Sequence, residues 1–358
     1  MKLIDKYIVG KFIATYLYLN LLLTLVIIIF DISEKIDDFI EHSAPLQAVI
    51  VDYYFNFIPF LLNMFIGLIT FVAVIYFTSR LAFNTEIIAI LSSGVSFRRL
   101  LAPYLVTALL LSGISFSLSN FVIPTANKVR LDFEMRYLGK HRPRHESHIH
   151  FQISPGNYIS VQHFDPFSDI GYRAILTEVG DTGLRKVVSA DVLRWDSLET
   201  KWHFDQYAVR TFDEEGEHLR VGSTLDTVLA VGPADLSTRV RDVGHMGFRQ
   251  LRRFIAESRI RGTENIIFYE VEKHQRLAYP FATVILTLIG VALSSRKVRG
   301  GIGLHIAMGL SASFIYILFM KFSETFATNG NLHPGVAAWV PNALFFILAV
   351  YLINKAPK

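Results

Sequence analysis

The stretch YYFNFIPFLLNMFIGLITFVAVIYFTS, residues 53–79, contains no charged side chain. It is longer than the roughly 20 apolar residues that a helix needs to cross the hydrocarbon core of a bilayer. Five further uncharged stretches of similar length occur, at residues 12–30, 100–127, 277–295, 300–320 and 325–354. Because a globular core does not use six such stretches, the sequence predicts six membrane-spanning helices.

The composition excludes several other classes of protein. Of the 358 residues, 52% are hydrophobic and 18% are charged, whereas a soluble domain has about 25% charged residues. This argues against a soluble enzyme and against a disordered chain. The chain has no cysteine, which excludes disulfides, thiolate catalysis and cysteine-ligated metal sites. The first apolar stretch follows Lys2 and Lys6, but no small-residue cleavage site comes after Phe30, so we expect an uncleaved first span.

The region between residues 127 and 277 has a different pattern. It is rich in charges of both signs, and its apolar residues alternate with polar ones. Turn-forming residues separate the alternating runs, which lie at residues 148–152, 157–162, 187–195 and 201–211. Short alternating strands at this spacing predict an all-β sandwich or jelly roll. From about Gly247 to Arg276 the apolar spacing becomes helical.

The charges between the spans predict the orientation in the membrane. With six spans, both termini and two short loops lie on one side, which carries 11 basic and 2 acidic residues. The opposite loop, Asp31 to Asp52, carries one basic and six acidic residues. Because basic loops face the cytoplasm, both termini should be cytoplasmic. The segment from Pro124 to Arg276 then lies outside with 22 bases and 22 acids, so the excess of basic charge does not indicate nucleic-acid binding.

We therefore predict an α-helical polytopic membrane protein with one inserted, jelly-roll-like all-β domain outside the cytoplasm. Residues 1–123 should hold the first three spans and include a short cytoplasmic helix at residues 84–94. Residues 124–246 should form the β domain and residues 247–276 a helical connector. Residues 277–358 should form the last three spans.

The cytoplasmic stretch 84–94 has the marks of a short helix. Asn84 or Thr85 can cap its start, Glu86 suits its first turn, and Gly94 suits the position just after its end. It is either a plain surface helix joining two spans or a coupling helix that docks on a motor protein. Its apolar side has no obvious core of its own to enter, which favours the partner surface. That side consists of Ile87, Ile88, Ile90 and Leu91.

The sequence offers no catalytic or cofactor-binding motif. The phosphate-binding pattern G-x-x-x-x-G-K-[ST] is absent, and the glycines near Gly300 enter a membrane helix. We therefore expect no cofactor on this chain and no catalytic residue. Histidines could bind a metal, but Pro143 and two arginines interrupt the cluster, so we expect no metal site and read them as exposed or strand residues. The cluster is His141, His145, His148 and His150.

Two lysines and one strand face are candidate lipid contacts. Lys35, the only base in the acidic outer loop, could bind an anionic lipid head group or pair with Asp31 or Asp38. Lys321 lies in the fifth span and could simply pair with Glu324 three residues later. Alternate residues on the strands could line a lipid path or an ordinary packed core. They are Ile149, Phe151, Ile159, Val161 and Ala208.

Four motifs and their order resemble one known family. They are Leu3-Ile4-Asp5-Lys6-Tyr7-Ile8, the run from Glu86 through Gly94 to Ser96, Ile153-Ser154-Pro155-Gly156-Asn157-Tyr158, and Pro334 with Ala337 to Asn342. The chain is similar over its whole length to the LptF/LptG (YjgP/YjgQ) family of lipopolysaccharide-export permeases. Its Asp5-Lys6-Tyr7 start is slightly closer to LptG.

The resemblance implies six membrane helices and a periplasmic jelly roll inserted after the third. It implies a complex with a second permease of the LptF/LptG type, an LptB-like ATPase dimer that binds the ATP, and LptC-like and LptA-like periplasmic proteins. The substrate would be lipopolysaccharide in the outer leaflet of the inner membrane. Glu86 would couple to the ATPase together with Ile87, Ile90, Leu91 and Gly94. The family's lipid A contacts at the outer end of the first helix would correspond here to Lys35.

Three functions compete. The first is a lipopolysaccharide-export permease driven by a separate ATPase. The second is a mechanotransmitting ABC subunit that moves its periplasmic domain and carries no lipid. The third is a membrane-embedded enzyme, which the missing intramembrane acid–base cluster disfavours.

Overall fold

The computed structural model describes residues 3–138, 146–180, 183–213, 216–237, 240–261, 266–296, 301–330 and 332–356. The chain divides into two compact units. The helical unit comprises Met1–Leu138, Gly244–Phe248 and Glu270–Lys358, and the β unit comprises Gly139–Val243 and Arg249–Tyr269.

Twelve helices are found in the described residues. They are α1 (Leu3–Glu41), α2 (Leu46–Ala48), α3 (Phe55–Met64), α4 (Ile66–Phe83), α5 (Glu86–Ser92), α6 (Phe97–Ser117), α7 (Ile123–Tyr137), α8 (Pro233–Ser237), α9 (Phe248–Arg261), α10 (Ile266–Ser294), α11 (Gly301–Thr328) and α12 (Pro334–Lys355). Six helical segments are long and apolar enough to cross a membrane, which confirms the six predicted spans. They lie in α1, α4, the continuous segment from α6 to α7, α10, α11 and α12.

Several helices run beyond the uncharged stretches that predicted them. Helix α1 continues to Glu41, so the first half of the predicted acidic loop is helical. The third span continues to Tyr137 because Pro124 lies in the first turn of α7, where a missing backbone N–H is tolerated. Residues 124–137 are therefore helical and not part of the β domain. Likewise, residues 266–276 are the start of α10 and not a separate connector.

Helix α4 lies at the centre of the helical unit. Phe71, Val74 and Ile75 on this helix are fully buried. Gly290 of α10 faces Phe71 and Val74, and Gly309 of α11 faces Ile75. Small residues of this kind allow membrane helices to approach closely.

Polar side chains join the other spans. The Tyr316 hydroxyl of α11 donates to Asn342 Oδ1 of α12 at 2.8 Å, and Asn342 Nδ2 donates to the Ala278 carbonyl of α10 at 2.9 Å. The Thr78 hydroxyl of α4 donates to Tyr104 of α6 at 3.1 Å. These four buried side chains thus find their partners on neighbouring helices, which a medium without water favours.

Two irregularities lie in or beside the second and third spans. Phe65, with φ −101° and ψ 4°, separates α3 from the second span, α4, and the third span passes through a π-helical segment, Leu118–Val122. Asn63 connects the two, because its Nδ2 donates to Ser119 Oγ at 2.9 Å and its Oδ1 accepts from Ser115 Oγ at 2.8 Å. A separate aromatic cluster lies beyond these breaks, on α1, α7 and the segment before α3. Its buried residues are Phe39, Val49, Tyr53, Tyr54, Phe133 and Leu138.

The β unit contains one six-stranded antiparallel sheet, which confirms the predicted inserted all-β region. Its strands are β1 (Glu146–Ser154), β2 (Asn157–Asp165), β3 (Ile170–Gly180), β4 (Gly183–Asp196), β5 (Lys201–Asp213) and β6 (Gly216–Thr227). Each strand pairs with the next along the chain. The four alternating runs of the sequence lie in β1, β2, β4 and β5, and β3 and β6 complete the sheet.

One row of residues crosses this sheet without regular pairing. The residue pairs before and after this row keep the same register between strands, but the residues of the row itself are not paired. Two of them, Arg173 and Gln206, have positive φ values of 53° and 52°. In strands β2 to β5 the buried face shifts by one residue at this row. The row consists of Gln162, Arg173, Asp191, Gln206 and Ser223.

The shift corrects one prediction about the inner face. After Gln206, the inner residues of β5 are Tyr207 and Val209, which belong to the core cluster. Ala208 therefore lies on the opposite face, because successive side chains of a strand point to opposite sides. Unbroken alternation from Lys201 had predicted it to face inward, and that prediction is wrong.

The glycine contact on α4 yields a stability prediction. A Cβ atom on Gly290 would lie 3.0 Å from both Phe71 Cδ2 and Val74 Cγ1. Gly290→Val should therefore lower the free energy of unfolding by about 1–3 kcal/mol through overpacking. The measurement is the thermal unfolding midpoint of the detergent-solubilised chain.

Gly113→Val is the matched control, because Gly113 also lies inside a membrane helix but a Cβ there has no neighbour within 4 Å. Equal midpoints for the two variants would contradict the tight packing of α10 on α4.

Candidate functional site

Helix α5 forms where the sequence predicted it, between the second and third spans. Thr85 occupies the N-cap position with a φ of 63°, but its side chain does not cap the helix. Its hydroxyl instead donates to the Asn84 carbonyl at 2.6 Å. Gly94 has a φ of +87° and its N–H donates to the Leu91 carbonyl at 3.1 Å, as expected for a glycine that ends a helix.

Glu86 is held by two neighbours at the start of α5. The Tyr7 hydroxyl of α1 donates to Glu86 Oε2 at 3.0 Å, and Asn84 Nδ2 donates to Glu86 Oε1 at 3.3 Å. The carboxylate is therefore positioned by α1 as well as by its own helix. The contact with Tyr7 joins residues 79 positions apart, and the sequence pattern gave no sign of it.

The apolar side of α5 divides into a buried and an exposed part. Ile87 is only 1% exposed and belongs to the core of the helical unit, and Ile90 and Leu91 pack against that core. The expectation that this side has no core of its own is therefore wrong for these three residues, because α5 folds back onto the end of α4. Ile88 is 56% exposed and Phe83, just before the helix, is also exposed.

A second contact fastens the same end of the helical unit. Arg99 Nη2 of α6 donates to Asp5 Oδ2 of α1 at 2.7 Å, and the Asp5 side chain is largely buried. The start of α6 is capped by Ser96, whose hydroxyl accepts from the Arg99 N–H at 3.3 Å. Two polar contacts thus join the start of α1 to its neighbours, one to helix α5 and one to the start of α6.

Lys35 lies in the C-terminal part of α1 in a network of its own. It pairs with Asp31 and with the Tyr53 hydroxyl, and Tyr54 donates to Asp31 Oδ2 at 3.1 Å. Its ammonium lies 4.8 Å from the centre of the Tyr53 ring. The pairing with Asp31 is the structural alternative that the sequence left open, and a lipid contact of Lys35 stays a prediction.

A second base lies in the same aromatic cluster and was missed by the sequence analysis. Arg130 of α7 lies 5.2 Å from the centre of the Phe57 ring and pairs with Glu134 at 3.3 Å. Arg130 is hard to recognise from sequence because residues 124–137 were predicted to belong to the β domain.

Lys321 forms the expected ion pair with Glu324 at 2.9 Å. Glu324 also accepts a hydrogen bond from Gln275 Nε2 of α10 at 3.3 Å. The Lys321 side chain is exposed on the surface of α11. The ion pair with Glu324 gives the Lys321 charge a structural role. A contact between Lys321 and lipid head groups stays a prediction.

The inner face of the β unit is packed. Ile159 and Val161 are fully buried with Phe164 and Trp202, and Ile149 packs against this cluster. This agrees with the packed-core alternative for the two buried residues. The side chains of Phe151 and His148, and the residues His141 and His145, lie outside the described residues.

The sequence matches one known protein family over nearly its whole length. A family model described as "Lipopolysaccharide export system permease LptF/LptG" matches residues 6–355. The chain belongs to the LptF/LptG family. No curated protein matches it.

Membership in this family has direct consequences. The members of this family are lipopolysaccharide-export permeases, which are transport proteins and not enzymes. Six apolar helices together with the LptF/LptG match fit a multi-pass inner-membrane protein. The match does not separate LptF from LptG, so the leaning towards LptG stays a prediction.

Proposed function

We propose that this chain is the permease subunit of an ABC-type complex that extracts lipopolysaccharide from the outer leaflet of the inner membrane. It hands the lipid to a periplasmic bridge, and a separate ATPase powers the process. The observation that carries the proposal is helix α5, which is anchored on the core by Ile87 and presents Glu86 and the exposed Ile88.

The anchoring of α5 suits a transmission element. Force applied to Ile88 by a partner would reach α4 through Ile87 and would reach α1 through the hydrogen bond between Tyr7 and Glu86. Because the sequence has no phosphate-binding loop, the ATP belongs to an LptB-like ATPase dimer. A second LptF/LptG-type permease and LptC-like and LptA-like proteins complete the proposed complex.

The proposed orientation places α5 in the cytoplasm and the β unit in the periplasm. It is supported by the excess of basic residues at both termini and in the two short loops on their side of the membrane. In this orientation Lys35 and Lys321 lie towards the outer leaflet, where they would contact the head group of the lipid.

The first test of the proposed function concerns Glu86. If its carboxylate meets a basic residue of the ATPase in a partly desolvated groove, reversing its charge leaves that residue unpaired at a cost of about 2–5 kcal/mol. Glu86→Lys should therefore release the ATPase or uncouple ATP hydrolysis from lipid release, whereas Glu86→Gln should have a smaller effect. The measurements are ATPase copurification and lipid release from proteoliposomes.

Glu199→Lys is the control for the charge reversal, because Glu199 is an exposed residue in the turn between β4 and β5. Normal assembly and normal export in Glu86→Lys would remove Glu86 from the mechanism.

The second prediction concerns the orientation. The chain contains no cysteine, so a single introduced thiol reports its own location. Ser197→Cys in the β unit should react with a membrane-impermeant maleimide in cells with a permeabilised outer membrane, and Ser93→Cys after α5 should react only after lysis. Equal labelling of the two positions in intact inner membranes would show that the orientation is wrong.

The third prediction separates lipid export from the mechanotransmitting alternative. Photocrosslinkers at Ile149 and Ile159, on the inner face of the sheet, should capture lipopolysaccharide only when ATP and the ATPase are present. A crosslinker at Ile175, which is exposed on the opposite face, should not. No capture at either inner position with ATP hydrolysis intact would favour a subunit that carries no lipid, and capture that is independent of ATP would count against an ATP-driven path through the sheet.

A further inference from the structure

A groove lies between the first half of α1 and the last half of α4. It has a volume of about 370 Å³. Both walls belong to the helical unit. The groove is lined by Tyr7, Lys11, Ala14, Thr15, Tyr18, Tyr76, Phe77, Arg80, Leu81, Asn84 and Glu86.

Two cations, Lys11 and Arg80, line this groove. The Lys11 ammonium lies 5.7 Å from the centre of the Tyr7 ring. In the part of the chain that the structure describes, neither forms an ion pair. The nearby Glu86 carboxylate instead accepts hydrogen bonds from Tyr7 and Asn84. The groove therefore holds two positive charges whose hydrogen-bonding groups are available to a ligand.

Both cations lie at the same boundary of the membrane. Lys11 immediately precedes the uncharged stretch 12–30, and Arg80 immediately follows the uncharged stretch 53–79. Tyr76 lies one helical turn deeper than Arg80, and Tyr18 lies about 10 Å deeper than Lys11 at 1.5 Å per residue. With Lys11 and Arg80 against the single carboxylate of Glu86, the groove has a net positive charge at the boundary and is aromatic at Tyr18 and Tyr76. This order of charged and apolar groups matches the head group and acyl chains of an anionic lipid.

We propose that this groove binds an anionic phospholipid of the leaflet at the chain termini, with the lipid phosphate between Lys11 and Arg80. The guanidinium group offers several donors to phosphate oxygens and the ammonium adds a second charge. The Thr15 hydroxyl is a further polar group on the wall. The acyl chains lie against Ala14, Tyr18 and Tyr76. This site lies in the membrane leaflet opposite to the one from which lipopolysaccharide would be extracted. The proposal of a phospholipid site does not depend on the proposed export function.

The test uses the complex purified through the full-length chain and reconstituted in nanodiscs that contain equal amounts of phosphatidylglycerol and phosphatidylcholine. Native mass spectrometry then counts the lipids of each kind that stay bound. The double variant Lys11→Gln/Arg80→Gln should retain phosphatidylglycerol on the order of tenfold less tightly than the wild type, since two attractive charges are lost. Its retention of phosphatidylcholine should not change.

Lys6→Gln/Arg98→Gln is the matched control, because it removes two exposed cations from the same side of the membrane but outside the groove. It should retain phosphatidylglycerol as the wild type does. Equal losses in both double variants would overturn the site, since they would show only a general charge effect. Complete displacement of the lipid by inorganic phosphate would also overturn it, because the site would then bind a soluble anion. Loss of the ATPase from the groove variant with lipid retention unchanged would assign the cations to a protein partner.

A second measurement does not rely on the charge variants folding. Tyr18→Trp places a fluorophore at the deep end of the groove while all charges stay in place. Phosphatidylglycerol with brominated acyl chains should quench the added fluorescence more strongly than brominated phosphatidylcholine at the same concentration. Equal quenching by the two lipids would overturn the preference for an anionic head group.

Discussion

The close packing of α4 is the constraint on which the helical unit depends. In a bilayer, association of helices gains little from hydrophobic burial, because lipid tails are as apolar as the side chains they replace. Contact distance therefore decides the packing, and Gly290 and Gly309 let α10 and α11 approach the Phe71–Ile75 segment of α4. Helix α5 depends on the same packing, because Ile87 enters the core that α4 forms.

The sequence determined the large elements and missed the boundaries for physical reasons. Uncharged stretches indicate only where a helix can meet hydrocarbon, so they could not show that α1 continues through charged residues to Glu41 or that α7 reaches Tyr137. In the sheet, alternation identified strands but assumed that it continues unbroken. The residues at Arg173 and Gln206 have positive φ angles, and neither residue type signals such a conformation as glycine would.

The candidate site could be predicted only in outline. The spacing of Glu86 and Gly94 is a local pattern, so the presence of helix α5 could be predicted from the sequence. The burial of Ile87 and the hydrogen bond from Tyr7 depend on how distant segments pack, and no local pattern carries that information. The same holds for Arg99, whose partner Asp5 is 94 residues away.

The first three spans differ in how they can transmit a displacement. Within residues 3–138, Phe65 interrupts the helical geometry just before the second span and the third span passes through the π-helical segment Leu118–Val122, whereas α1 is one uninterrupted helix of 39 residues. At 1.5 Å per residue it is about 58 Å long. Its start is joined to Glu86 and Arg99 by Tyr7 and Asp5, and its C-terminal part carries Lys35. A rigid helix transmits movement along its length, while a broken one absorbs it by bending. Displacement of α5 by a partner should therefore reach the aromatic cluster around Lys35 and Tyr53 through α1. The irregularities at Phe65 and at Leu118–Val122 allow the neighbouring helices of this cluster to bend when α1 moves.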